Sequence, residues 1–258
     1  MTLAATSWGT GEPLVLLHGF TGDASSFAHL KETIGSRFRV IAPDLPGHGR
    51  SAPAIGWDAA LEELRVTVPE SPFFLAGYSM GARLALAFSL RWPDRVRALL
   101  VESGSPGIAD AGERTSRHAE DGHLAEFVLR TGIAAFVDRW EMHPTLAGLR
   151  DLSPAMIAAI RERRLRQSPE GLASALRHLG SGAQPSLWDE LPRLHVPVLL
   201  VAGERDAKFS EIARRMAAAI PRAQLTLVPS SGHSPHLEAP DRYASALVAF
   251  FTQHGGQR

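Results

Sequence analysis

Short, almost unbroken apolar runs, each closed by turn-forming residues, recur along the chain and are separated by longer amphipathic stretches. Residues 14–17 run into His18-Gly19, 40–42 into Pro43-Asp44, 73–76 into Gly77, and 99–101 into Glu102-Ser103-Gly104. After a long interval, 198–202 meet Gly203 and 225–228 meet Pro229. Runs this short, without polar alternation, predict strands buried on both faces, hence a mostly parallel sheet with helices on either side. The stretches 57–68, 80–91, 211–220 and 242–251 carry the helical period; Pro93 closes the second and Pro221 follows the third.

The interval 106–188 breaks this rhythm. It holds no convincing strand but has helical stretches at 118–131, 132–140, 154–166 and 169–180. Ten arginines and ten acidic residues fall within it, so its charge is dense but balanced. The pattern predicts one α/β core built from residues 1–104 and 189–258, with residues 105–188 inserted as a helical cap.

Composition narrows the function. A chain of 258 residues, 45% hydrophobic and 21% charged, can build that core and is unlike disordered, collagenous or coiled-coil chains. Lys+Arg and Asp+Glu both number 27, which argues against a strongly basic footprint for a nucleic acid. The basic side is nearly all arginine, with Lys31 and Lys208 the two lysines; arginine's planar fork suits carboxylates and phosphates. The absence of cysteine removes disulfides, thiolate nucleophiles and cysteine metal sites. No basic-then-apolar leader and no apolar stretch of ~18 residues is seen. The expectation is a cytoplasmic protein acting on a small molecule, as a monomer or small homo-oligomer, with no membrane or nucleic-acid partner.

The chemistry concentrates at Gly77-Tyr78-Ser79-Met80-Gly81, between an apolar strand and a helix. That is the context of a nucleophile elbow: small residues allow a tight strand-to-helix turn that exposes the Ser79 hydroxyl at the helix N-terminus. A serine needs an oriented histidine to become reactive. His233, in Ser231-Gly232-His233 after the last predicted strand, supplies one, with His236 as the rival. Asp206, in Gly203-Glu204-Arg205-Asp206, supplies the acid; Glu204 is its rival but lies closer to the strand end. The order Ser, Asp, His with each member in a loop after a strand defines a catalytic triad. The His18-Gly19-Phe20 loop offers the Phe20 N–H as one oxyanion donor and Met80 offers the other. Asp44 and Gly47-His48-Gly49 form a further loop on the same edge, read as a structural turn.

With these features the chain resembles the α/β-hydrolase superfamily over essentially its whole length, and within it the MenH family of 2-succinyl-6-hydroxy-2,4-cyclohexadiene-1-carboxylate synthases. The more specific likeness lies in the Tyr78-Ser79-Met80-Gly81-Ala82-Arg83 elbow and in the cap stretch Phe136-Val137-Asp138-Arg139-Trp140. It continues through Arg163-Arg164-Leu165-Arg166-Gln167-Ser168-Pro169-Glu170-Gly171-Leu172-Ala173 and Gly180-Ser181-Gly182-Ala183-Gln184-Pro185-Ser186-Leu187-Trp188. It ends at Gly203-Glu204-Arg205-Asp206-Ala207-Lys208-Phe209. Two segments depart from the family pattern: Thr145 and Gly148 stand where apolar or aromatic residues are common, and Ser234-Pro235 replaces Asn-Val.

The resemblance implies an α/β-hydrolase fold and a carbon–oxygen lyase. The Ser–His pair takes a proton from the substrate ring, pyruvate is eliminated, and arginines hold the substrate's carboxylates. Arg83, four residues past Ser79, stands one helical turn from the nucleophile. Arg117 is the expected cap clamp with Arg114 as competitor, and Arg166 the later one with Arg164 as competitor. Tyr78, Trp140 and His18 complete the expected substrate-binding set. No metal and no organic cofactor is implied. The same triad also suits a serine carboxylesterase, a C–C bond hydrolase, or a small-molecule receptor that kept the fold. Haloalkane dehalogenation would place an aspartate where Ser79 stands.

Overall fold

A computed structural model describes residues 2–68 and 71–256. Seven strands among these form one sheet: β1 (Ala5–Trp8), β2 (Glu12–Leu17), β3 (Phe38–Pro43), β4 (Phe73–Tyr78), β5 (Val96–Glu102), β6 (Val198–Gly203) and β7 (Ala223–Val228). Their spatial order is β1-β3-β2-β4-β5-β6-β7, parallel throughout except that β1 runs antiparallel to β3. The helices are α1 (Lys31–Ile34), α2 (Trp57–Thr67), α3 (Met80–Arg91), α4 (Ala111–Glu141), α5 (Pro154–Leu165), α6 (Pro169–Leu179), α7 (Ala207–Ala219), α8 (Pro235–Glu238) and α9 (Pro240–Gln253).

The strand period of two explains the unbroken apolar runs. Val15, Leu17, Leu75, Leu99, Val101 and Leu200 point to one face, where residues of α2, α3 and α7 cover them. Leu14, Leu16, Phe74, Ala76, Leu100 and Val201 point to the other, against Ile34 of α1 and Tyr243, Leu247 and Phe251 of α9. In the central strands β2, β4 and β6 both faces are covered at nearly every position, which is why these runs are apolar throughout.

β1 escaped the sequence reading. It is an edge strand whose Ala5, Thr6 and Ser7 are exposed; backbone pairing to β3 holds it, with the Ser7 hydroxyl donating to Val40 O (2.9 Å). Nothing apolar marks such a strand.

Chain order reverses direction between β2 and β4, which lie side by side with Leu17 opposite Gly77. At such a switch point the loops leaving the two strands diverge and open a crevice at their C-terminal ends. The turn after β2 and the turn into α3 therefore face one another across it.

Between β5 and β6 the described chain carries α4, α5 and α6 and no strand. Two of the expected helices, 118–131 and 132–140, are one element with a break at Gly132 (φ 79°, ψ 174°). The element also starts earlier than expected, at Ala111, where the Asp110 carboxylate accepts the Glu113 N–H (2.8 Å). Ser153 and Ser168 cap α5 and α6 in the same way. This insertion has its own small core, Val128, Phe136, Val137, Leu172 and Leu176. A second cluster joins its Leu146, Leu149 and Ile160 to Leu237 of α8.

Candidate active site

Ser79 occupies a left-handed backbone conformation (φ 51°) between β4 and α3. The turn is possible because the residues two positions away on either side, Gly77 and Gly81, lack side chains. A Cβ on Gly77 would collide with Gly81 O, and one on Gly81 would collide with Leu17 O. The Ser79 N–H is taken by Glu102 O (2.9 Å), fixing the residue to β5.

The loops after β6 and β7 bring the partners. His233 Nε2 lies 3.1 Å from Ser79 Oγ, and its Nδ1 lies 2.7 Å from Asp206 Oδ2. Asp206 uses its other oxygen to accept the Phe209 N–H (3.2 Å) and cap α7. One carboxylate thus orients the imidazole while the helix cap holds the carboxylate. Glu204 is exposed. His236 is buried but bound elsewhere: Glu102 Oε1 accepts both its N–H (2.9 Å) and its Nδ1–H (2.8 Å).

The triad opens into a cavity of about 590 Å³ walled by core and insertion together. Phe20 and Met80 both line it beside Ser79, and no hydrogen bond within the described residues occupies their N–H groups. Six cationic side chains line it, Arg83, Arg117, Arg163, Arg164, Lys208 and Arg215, against Asp110, Glu113 and Asp121. Arg83 and Arg164 are buried while Lys208 and Arg215 are exposed, so the excess of positive charge runs from the interior of the cavity to its mouth and attracts an anionic ligand.

Arg83 is only 9% exposed. It donates to Leu179 O (2.8 Å), Gly180 O (3.4 Å) and Gln184 Oε1 (3.2 Å), and burial pushes its pKa down to about 10, so it remains a cation at neutral pH. Arg117 Nε donates to Asp121 Oδ1 (2.8 Å), and Asp121 in turn accepts the Gly182 N–H (3.1 Å). Arg114 lies apart, in a surface cleft with His118, Arg177 and His178, donating to Ile108 O (2.9 Å).

The later arginine requires a correction. Arg166 does not line the cavity; its side chain is 55% exposed and pairs with Glu162 (2.8 Å) on the outer face of α5. Arg164 lines it instead, buried and paired with Glu141 (3.2 Å), and Arg163 stands beside it. Two residues along a helix turn the side chain through about 200°, so the motif's spacing alone could not choose between them.

His18 also departs from expectation and does not line the cavity. Its Nδ1–H donates to Gly19 O (2.8 Å) and its Nε2 accepts the Leu45 N–H (2.9 Å). Burial lowers its pKa to about 4. It is a neutral strut joining two loops. His48 does the same, accepting the Thr21 N–H (3.2 Å), while Asp44 accepts from Ala24 N (2.7 Å) and Arg50 N (3.0 Å). That loop is the structural turn its sequence suggests.

Tyr78 and Trp140 both line the cavity. The Tyr78 hydroxyl meets Ser234 Oγ at 2.6 Å, and its ring covers Gly19, where a Cβ would approach within 2.6 Å. Trp140 meets Phe20 edge to face (5.2 Å), and its buried indole N–H has no partner among the described residues. The two sequence departures also find physical reasons. Ser234 is the Tyr78 partner, and a side chain on Gly148 would collide with the Glu238 carboxylate, which accepts the N–H groups of Gly232 (2.6 Å) and Ser234 (2.9 Å) on either side of His233.

The model of the alpha/beta hydrolase family matches residues 14–246, so the chain belongs to that family. It is 39% identical over 249 residues to a putative 2-succinyl-6-hydroxy-2,4-cyclohexadiene-1-carboxylate synthase of Bacillus subtilis, covering 93% of this chain and 90% of that one. The structure of MenH from S. aureus superposes with a TM-score of 0.93 at 33% identity, over 98% of this chain and 99% of that one. A thermophilic esterase from Thermogutta terrifontis, solved with malate bound, gives 0.85 at 30% identity, over 98% and 94%. Inside the family, the chain groups with the MenH synthases.

Proposed function

We propose that this enzyme converts 2-succinyl-5-enolpyruvyl-6-hydroxy-3-cyclohexene-1-carboxylate into 2-succinyl-6-hydroxy-2,4-cyclohexadiene-1-carboxylate and pyruvate. We further read residues 105–188 as the cap that closes the site over the core segments 1–104 and 189–258. The observation that carries the reading is the pairing of a Ser–His–Asp array with a cavity whose charged lining residues are mostly cations, six against three carboxylates. A neutral ester would need an apolar acyl pocket; a tricarboxylate needs this charge.

Asp206 holds the His233 tautomer whose Nε2 is free to accept a proton from Ser79. With that help Ser79 Oγ takes the ring proton next to the succinyl ketone. The Phe20 and Met80 N–H groups receive the charge that develops on the ketone oxygen. The electron pair moves into the ring, the 3-ene becomes the 2,4-diene, and the C–O bond to the enolpyruvyl group breaks. The proton on His233 returns to the departing enolate, which leaves as pyruvate; no water is consumed. Arg83, Arg117 and Arg164 with Tyr78 and Trp140 hold the carboxylates and the ring in place.

Carboxylester hydrolysis is the second reading, favoured by the likeness to the Thermogutta esterase. There Ser79 would attack the carbonyl carbon instead of a proton. Pyruvate release, measured beside hydrolysis of p-nitrophenyl acetate, separates the two. The synthase releases pyruvate above the spontaneous rate; an esterase turns over only the ester.

A further inference from the structure

The six cations of the cavity are not equivalent. Arg83 is satisfied by carbonyls, Arg117 by Asp121 and Arg164 by Glu141. Arg215 lies over the Trp188 ring (4.3 Å) and Lys208 over Phe209 (5.8 Å). Arg163 is half-buried and has no ion pair, side-chain hydrogen bond or ring contact with any described residue.

Its surroundings make this costly. Burial lowers its pKa, and Arg164 and Arg166 stand close enough to repel it as well. The nearest opposite charge, Asp23, is beyond ion-pair reach and already accepts the N–H (2.8 Å) and hydroxyl (2.5 Å) of Ser25. A desolvated cation without a counter-charge is held at a free-energy cost that an anion in the cavity would offset.

The position is also built. Gln167, itself buried, donates from Nε2 to both Gly22 O (3.1 Å) and Arg163 O (3.4 Å), while its Oε1 accepts the Gly49 N–H (3.0 Å). It thereby pins the last turn of α5 against the turn that follows β2. Ser26 lines the cavity from that turn; its Oγ accepts the Asp23 N–H (3.1 Å), and its own proton has no acceptor among the described residues. The electrostatic neighbours of Arg163 are Asp23, Arg164 and Arg166, with the neutral His18 and His29 on the side of the turn after β2, whereas those of Arg83 are Asp121 and Arg117. The cavity thus has two cationic regions rather than one.

We propose that Arg163, with the Ser26 hydroxyl, is a second carboxylate subsite of the cavity, separate from the Arg83–Arg117 region, and that it selects substrates carrying carboxylates at both ends. This rests on the polycarboxylate reading above. Removing one charge-assisted contact made equally in ground and transition states raises KM and spares kcat. In Arg163→Met, the KM for pyruvate release is expected to rise about tenfold or more with kcat within about threefold, and Arg163→Lys to recover most of the loss. Arg166→Gln, on the outer face of the same helix, is the reference. A KM in Arg163→Met equal to that of Arg166→Gln overturns the subsite while leaving the synthase intact.

Calorimetry with isophthalate and benzoate supplies an arm independent of turnover. The wild type is expected to prefer the dicarboxylate and Arg163→Met to lose that preference. A preference absent from the wild type, or undiminished in the variant, overturns the proposal. Should the wild type release no pyruvate, the synthase reading fails and the calorimetry alone decides the subsite.

Discussion

Asp206 carries two duties that one substitution can separate. Its Oδ2 orients His233 and its Oδ1 caps α7. Asn keeps a side-chain oxygen for the cap but cannot hold the imidazole in the same tautomer. Asp206→Asn is therefore expected to lower kcat by ~10³–10⁴-fold while leaving stability within about 0.5 kcal/mol. Asp206→Ala should lose a similar rate and about 1 kcal/mol more, read by urea unfolding. Equal stability of the two variants would mean that the cap contributes nothing. At this scale the triad was legible because each member follows an apolar run at a strand end. The arginines were legible as a set but not one by one. Arg163, Arg164 and Arg166 share one motif, and only the helical phase of α5 decides which of them meets the cavity. His18 was misread for a related reason: a histidine after β2 looks the same in sequence whether it faces a ligand or bridges two loops through both ring nitrogens.

At the scale of elements, the elbow depends on how closely α3 approaches β2. Gly81 faces the Leu17 and His18 carbonyls, which are backbone atoms and cannot turn aside. Gly81→Ala is expected to cost about 1–3 kcal/mol, and to lower activity because the strain is relieved by moving Ser79. Denaturant unfolding with a parallel rate measurement checks both; a stable, fully active variant would show that the elbow tolerates a wider turn. Central strands were readable since burial on both faces demands apolar residues at every position. β1 was not, because an edge strand held by backbone pairing has no such demand. The start of α4 could have been found: Asp110 followed three residues later by Glu113 is a helix-entry signal, and it lies upstream of the apolar periodicity that set the expected boundary. The break at Gly132 was marked only by the glycine itself.

For the whole molecule, the loops that shape the active-site edge are braced by neutral histidines, and this sets a pH limit. Burial lowers His18 to about 4 and His48 to about 3, from an ordinary 6.5; His29, held also by the His236 carbonyl (2.7 Å), falls to about 4. Below 6.5 the unfolded chain binds protons that the folded one refuses, so stability falls as pH drops through 6.5 toward 4. Each group contributes at most about 1.4 kcal/mol per pH unit in that window. The thermal midpoint is expected to be clearly lower at pH 5.5 than at pH 7.5, and an unchanged midpoint would contradict the neutral-strut assignment.

The fold is common to the S. aureus MenH structure and the Thermogutta esterase, and a Ser–His–Asp array serves either chemistry, so neither decides the reaction; the charge of the cavity does. The decisive measurement is pyruvate release from 2-succinyl-5-enolpyruvyl-6-hydroxy-3-cyclohexene-1-carboxylate, generated in situ, by the wild type and by Ser79→Ala of verified fold. The expected result is release well above the spontaneous background, reduced by about 10³-fold or more in the variant. Pyruvate release at the background rate, alongside brisk Ser79-dependent hydrolysis of p-nitrophenyl acetate, would contradict the account and make the protein an esterase with a cationic pocket.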